Sequence, residues 1–150
     1  MTDLLSRTAR FDLPYLFAGQ AQREAFVNEA LARIDAAMHP AIAASLAEPP
    51  VDPHEGDCYL IAAPAGGVWA GNEGALASFA AGAWQLQRPL AGMRIWDRPR
   101  GAWVHFDGSA WKRVDTPSAP DGGVTIDVEA RAAITHMLDR LREAGIFSMP

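Results

Sequence analysis

The sequence predicts an α+β chain: an N-terminal arm and helix, a small antiparallel β module of hairpins, and a C-terminal helix. Three observations lead there. Residues 20–38 carry apolar side chains at spacings of three and four, the period of one helix face. Residues 125–147 do the same. Between them, residues 57–115 alternate short apolar runs with turn signals, and three runs open on a small residue followed by tryptophan: Gly82-Ala83-Trp84, Gly101-Ala102-Trp103 and Ser109-Ala110-Trp111.

The elements follow in order. Residues 1–48 form the arm and first helix. Pro14 interrupts any early helix and Gly19 marks a break, so residues 1–19 read as extended. The apolar string Phe11, Leu13, Tyr15, Leu16 and Phe17 needs a surface, either the body of the chain or a neighbouring subunit. In the helix, Val27, Leu31, Ile34 and Met38 form the apolar row, broadened by Phe26 and Ala30. Pro40 ends its strongest part, and the alanine-rich stretch Ala41–Ala47 allows a further turn or two of helix.

The β module occupies residues 49–115, opening with the proline-rich loop EPPVDPHEG that begins at Glu48. In DCYLIAA, Tyr59 and Ile61 lie on one side, Cys58 and Leu60 on the other. Hairpin turns are expected at Ala81-Gly82, between Asp97 and Gly101, and at Asp107-Gly108, a favoured tight-turn pair. Residues 116–123, TPSAPDGG, read as a flexible linker. The last helix, within residues 124–150, has Asp127 as N-cap, Arg140 and Arg142 in its last turn and Gly145 after it. Its row Ala130, Ile134, Met137 and Leu141 resembles a coiled-coil seam, which makes it an oligomerisation element; the other reading is that it folds back on the chain.

Composition narrows the function. A formal net charge of −5 with scattered basic residues argues against nucleic-acid binding. Cys58 is alone, so it pairs with no other cysteine of the chain and reads as a small buried residue. The N-terminus is charged among its leucines and does not read as a signal peptide, and no apolar run approaches the roughly 20 residues of a membrane helix. A soluble product of a cytoplasm, without membrane insertion, is the expectation.

No catalytic residues stand out. A Gly-x-Ser-x-Gly elbow is missing, the glycine-rich APAGGVWAGNEG lacks the lysine and hydroxyl of a phosphate loop, and no carboxylate pair is singled out. His39, His54, His105 and His136 lie in four zones; Asp52, His54, Glu55 and Asp57 cluster in one loop but read as a solvated turn. No metal and no cofactor are expected.

The tryptophans admit two uses. Rings at strand starts can fill the core of a small sheet, the expected role of Trp84, Trp103 and Trp111. Exposed rings can stack on sugars. Trp69 is the candidate there, set among glycines and alanines with Asn72 and Glu73 following to meet sugar hydroxyls; its alternative is a lid folded over the sheet.

An ordered string of residues carries a family resemblance over residues 11 to about 114. It runs Gly19-Gln20-Ala21-Gln22, Asn28-Glu29-Ala30-Leu31, Gly56-Asp57 with Tyr59, Trp69, Gly82-Ala83-Trp84, Pro89 with Gly92, and Asp107-Gly108 with Trp111. This resembles the DUF2793 domain of phage tail and gene transfer agent particle proteins. Where family members often carry histidines after Gln-Ala-Gln, this chain has Arg23-Glu24-Ala25-Phe26, so any role of those histidines is absent.

The resemblance implies a structural component of a phage-like particle, made in a bacterial cytoplasm and assembled into the virion. It would be a head spike, a tail fibre or the base of one, attaching to cell-surface polysaccharide. The expected partners are itself, as a homo-oligomer of three or five copies, and other particle proteins. The alternatives are a polysaccharide-degrading spike enzyme and an adaptor that only anchors a longer fibre.

Overall fold

A computed structural model describes residues 7, 8, 13–16, 24–124 and 126–148. Phe11, Phe17 and the Gly19-Gln20-Ala21-Gln22 segment lie outside the described residues. Helix α1 spans Glu24–Met38 and helix α2 spans Val128–Glu143. Between them run eight strands: β1 (Ala41–Ile42), β2 (Ala44–Leu46), β3 (Cys58–Ile61), β4 (Leu76–Ala80), β5 (Ala83–Gln87), β6 (Arg94–Asp97), β7 (Ala102–Phe106) and β8 (Trp111–Arg113). The predicted α+β class and hairpin succession are as observed.

The strands form two four-stranded sheets, in the orders β1-β6-β7-β8 and β2-β3-β4-β5. Each is an antiparallel three-strand meander with a short parallel strand on its edge. The two meanders repeat one pattern. Phe79 faces Trp84 across β4–β5, and Phe106 faces Trp111 across β7–β8, with ring centroids 5.1 and 5.3 Å apart. The N–H of Gly56 donates to Phe79 O at 2.9 Å, and that of Gly92 to Phe106 O at 2.8 Å. The Trp-opened strands therefore include two copies of one Phe-x-x-x-Ala-Trp hairpin; Trp103, at the head of a middle strand, is not a third copy.

The segment Ala41–Leu46 departs from the predicted extra helical turns. It forms β1 and β2, handing the chain from one sheet to the other. Ala41 and Ile42 pair with Trp96 and Asp97, while Ala44–Leu46 pair with Tyr59–Ile61. Helix preference of alanine is weak beside two sets of ladder bonds and the complete burial of Ile42. The β module thus begins at Ala41, before the boundary at residue 49 read from the loop.

One core lies between the sheets, built by Ile42, Ile95 and Val104 against Cys58, Leu60 and Leu76. Cys58 is the buried small residue expected of it. A second cluster covers the opposite face of β3–β5, with Trp69, Ile61, Ala75 and Ala77 at its centre and Tyr59, Trp84 and Leu86 around them.

Helix α1 presents an unexpected face to the sheet. Ala32 and Asp35 are buried, whereas Phe26, Val27, Ile34 and Met38 of the predicted apolar row are exposed. Small side chains at Ala32 and Ala36 let the helix approach β4, and Asp35 accepts a 2.6 Å hydrogen bond from Thr8 Oγ1 of the arm. Asn28 clamps the arm again, its amide accepting from Leu16 N at 2.8 Å and donating to Leu16 O at 3.0 Å.

Helix α2 begins as predicted, with Asp127 accepting from Ala130 N at 2.8 Å. Its C-terminal end docks on the outer face of β6–β7. Trp103 N donates to Gly145 O at 2.8 Å, and Gly145 lies against the Trp96 ring. Leu138 and Phe147 are buried, Ile134 and Leu141 half-buried, and Ala130 and Met137 exposed. The row read as a uniform seam is therefore divided: its Ile134–Leu141 side turns inward with Leu138, and Ala130 and Met137 face out.

Candidate functional site

The hairpin turns of the β module are held by carboxylates. In the β4–β5 turn, Ala81 and Gly82 take φ of 53° and 73°, a left-handed pair that alanine adopts at a cost of about 1–2 kcal/mol. Glu55 offsets this by accepting from Ala81 N at 3.0 Å and Gly82 N at 2.8 Å. Asp57 accepts from His54 N at 3.0 Å. The acidic loop thus has structural work, and no group of three metal-ligating side chains occurs among the described residues.

In the β7–β8 turn, Asp107 Oδ1 accepts from Ala110 N, Ser109 N and Ser109 Oγ, each at 2.8 Å. Those bonds, Ala110 N foremost, with Lys112 Nζ 3.7 Å away, hold its carboxyl well below the usual carboxylate range. The turn is therefore rigid where it borders a cleft.

That cleft, about 590 Å³, lies between the loop preceding β4 and the β7–β8 hairpin. Its polar and aromatic side chains are Asn72, Glu73, Arg88, Phe106, Ser109 and Trp111. Trp111 is half-buried, tilted 58° to Phe106, and its Nε1 donates to Gly74 O at 2.8 Å, which ties the hairpin to the facing loop. The loop is a chain of turns: Asn72 N donates to Trp69 O, Gly74 N to Ile61 O, and Ala75 N to Asn72 O. Asn72 Nδ2 donates to Ala70 O at 3.2 Å, and its Oδ1 has no donor among the described residues. Glu73 Oε1 accepts from Ala65 N at 3.1 Å. Hydrogen bonds from its own backbone amide and then from Ala65 lower its pKa, which keeps it an anion. Arg88 makes no ion pair among the described residues. An apolar ring edge, an amide, an anion and a guanidinium thus converge on one concavity of ligand-binding size.

The predicted sugar-stacking ring is not part of it. Trp69 has no exposed surface; it packs edge-on to Trp84 at 4.9 Å and beside Tyr59 at 6.1 Å. It is the lid, closing a single 3₁₀ turn (Gly67–Trp69) over the sheet. The neighbouring glycines serve close approach rather than exposure. Gly66 donates to Ala47 O at 2.9 Å, and a Cβ there would lie 2.7 Å from Glu48 Oε1. Burying a ring of that size contributes about 4–6 kcal/mol, far more than a weak sugar contact returns.

Asn72 and Glu73, which the sequence reading set with Trp69, line the cleft beside Trp111. Trp84, Trp103 and Trp111 are each half-buried in aromatic contacts, Trp84 and Trp111 packing on the two core clusters and Trp103 meeting Trp96 at 5.1 Å. Arg88, Phe106 and Ser109 were not anticipated. The recurrence of Phe-x-x-x-Ala-Trp at Phe79–Trp84 and Phe106–Trp111 was the available signal, since one copy lies against the Trp69 lid and the other lines the open cleft.

Comparison with curated proteins finds no match, and comparison with solved structures finds none. A family model does match, over residues 27–112, from α1 into β8. The matched span contains every side chain that lines the cleft and leaves out α2. The chain belongs to the family described as protein of unknown function DUF2793.

Proposed function

We propose that this protein is a structural and adhesive component of a phage-like particle, and that the cleft over Trp111 holds a sugar of the recipient's surface polysaccharide. The observation that carries the sugar reading is the convergence of Asn72, Glu73, Arg88 and Ser109 around the Phe106–Trp111 pair. A pyranose offers an apolar face and a rim of hydroxyls, and this set supplies an aromatic wall, acceptors and donors to match. The particle setting rests on the family resemblance; head spike, tail fibre and fibre base are its three forms.

Binding rather than hydrolysis is the reading for this cleft. Glu73 is the one carboxylate among the described residues that line it, and glycosidases of the common kinds use two. One shallow site gives weak affinity, so attachment depends on several copies acting together. A homo-oligomer, three or five copies on a particle, supplies them. The exposed Phe26, Ile34 and Met38 of α1 and Met137 of α2 offer surface for self-association and for other particle proteins. No helix among the described residues is long and apolar enough to cross a membrane.

The test is binding of the full chain to recipient cells and to their purified capsular polysaccharide, with Asn72→Ala and Arg88→Ala beside the native protein. Saturable binding, reduced about tenfold in each variant at unchanged melting temperature, is expected. New reducing ends would transfer the cleft to the enzyme reading. Absence of binding by an oligomeric preparation would leave the adaptor reading.

A further inference from the structure

A second cavity, of about 250 Å³, lies beside the cleft, between α1 and β5. Arg33 and Ala36 of α1 form one wall; Ser78, Gln85 and Gln87 form the other, on one face of the sheet, where Ser78 pairs with Gln85 and Leu76 with Gln87. Arg88 lines both cavities. The side chains of Ser78, Gln85, Gln87 and Arg88 make no hydrogen bonds among the described residues. Arg33 gives one bond to Glu29 Oε1 at 2.6 Å, in an exposed pair within one helix, and its other N–H groups stay available.

Around this cavity Ser78 is buried, Gln85 and Gln87 are half-buried, and Arg33 and Arg88 are exposed, so a neutral polar wall and two solvent-facing guanidiniums are set to meet one polar ligand. Here the donors dominate: two guanidiniums, two carboxamides and a hydroxyl line the cavity, with no acid among the described lining residues. Guanidinium forks and amide N–H groups match a planar carboxylate better than a neutral hydroxyl. We infer that this cavity is a carboxylate subsite of the cleft, so that the ligand is an acidic, uronate-bearing saccharide whose neutral face lies on Trp111 and whose carboxylate reaches past Arg88 to Arg33, Gln85 and Gln87. The inference rests on the reading of the cleft as a saccharide site.

The two readings separate in one titration. The full chain is titrated by nuclear magnetic resonance with an oligomannuronate and with the same oligosaccharide after carboxyl reduction. The Trp111 indole N–H and Asn72 amide report the cleft; the Gln85 and Gln87 amides and Arg33 Nε–H report the second cavity. The acidic form is expected to move both sets and to bind about tenfold more tightly than the reduced form, which moves the cleft set alone. Gln87→Ala and Arg33→Gln should each remove most of that difference while leaving binding of the reduced form unchanged. Equal binding of the two forms, with the second set unmoved, overturns the subsite and leaves the cleft reading standing. Movement of the second set without the cleft set, or of neither set, overturns the cleft reading and the inference with it.

Discussion

Substituting Gly145 by alanine should undock α2 from the β module. Gly145 sits at φ +70°, where alanine costs about 1–2 kcal/mol. Its added Cβ would lie 2.4 and 2.6 Å from Cζ3 and Cη2 of Trp96, where carbon contacts are comfortable at about 3.5–4.0 Å. The indole has little room to yield, because it meets Trp103 edge-on at 5.1 Å and 70°. Overpacking of this kind costs about 1–3 kcal/mol, so docking should weaken by about 2–5 kcal/mol in all. The bond from Trp103 N to Gly145 O reports the docked state. Hydrogen exchange at the Trp103 amide should accelerate by tenfold or more, and trypsin should cleave at Arg140 and Arg142 while the sheets keep their melting transition. Gly71→Ala separates strain from collision: Gly71 has φ +77° with no atom within 4 Å of a new Cβ, so it should cost only about 1–2 kcal/mol and leave α2 docked. Native protection of Trp103 in Gly145→Ala, or equal release of α2 by Gly71→Ala, would refute the reasoning.

Glu55→Ala should destabilise the β4–β5 hairpin by about 1–3 kcal/mol, because two amide bonds to a carboxylate are lost at a turn that already holds Ala81 left-handed; a denaturant midpoint unchanged from the native one would contradict this. The β7–β8 turn should loosen in acid. With its folded pKa depressed, Asp107 stabilises the fold at pH above its unfolded value of about 3.9, and that contribution fades as pH falls through the folded value. The Ser109 and Ala110 amide signals should therefore titrate in acid, and Asp107→Asn should abolish the titration while leaving them native-like at pH 7. Trp69→Ala should cost about 3–5 kcal/mol, the expectation for a wholly buried ring; loss of saccharide binding without loss of stability would instead return Trp69 to the site.

Local chemistry in the chain was legible where the decisive partner is close in sequence. Asp107-Gly108 and Ala81-Gly82 marked their turns, Asp127 marked the start of α2, and Gly145 marked its end, because caps and tight turns are settled within a few residues. What required distant partners was hidden. Ala41–Leu46 carries helical composition, and only the strands β3 and β6, many residues later, make it two strands. The period of α1 is real, yet the buried side is the Ala32–Asp35 side, chosen by close approach to β4 and by Thr8. The cleft was half legible. Asn72 and Glu73 stood out as polar residues after a glycine-rich run, but Trp111 joins them through the bond from its Nε1 to Gly74 O, spanning 37 residues, and Arg88 through the pairing of Gln87 with Leu76. Glycines beside Trp69 suggested exposure from composition, whereas the missing side chain of Gly66 lets its backbone approach Glu48.

The central claim, that the open Phe106–Trp111 copy of the repeated hairpin is the saccharide contact, is tested most directly by following the tryptophan indole N–H signals during titration with recipient capsular oligosaccharide. The account predicts a saturable shift of the Trp111 signal together with the Asn72 side-chain amide, while the indole signals of Trp69 and Trp84 in the covered copy stay in place. Saturable binding that moves Trp84 or Trp103 and leaves Trp111 unmoved would contradict it.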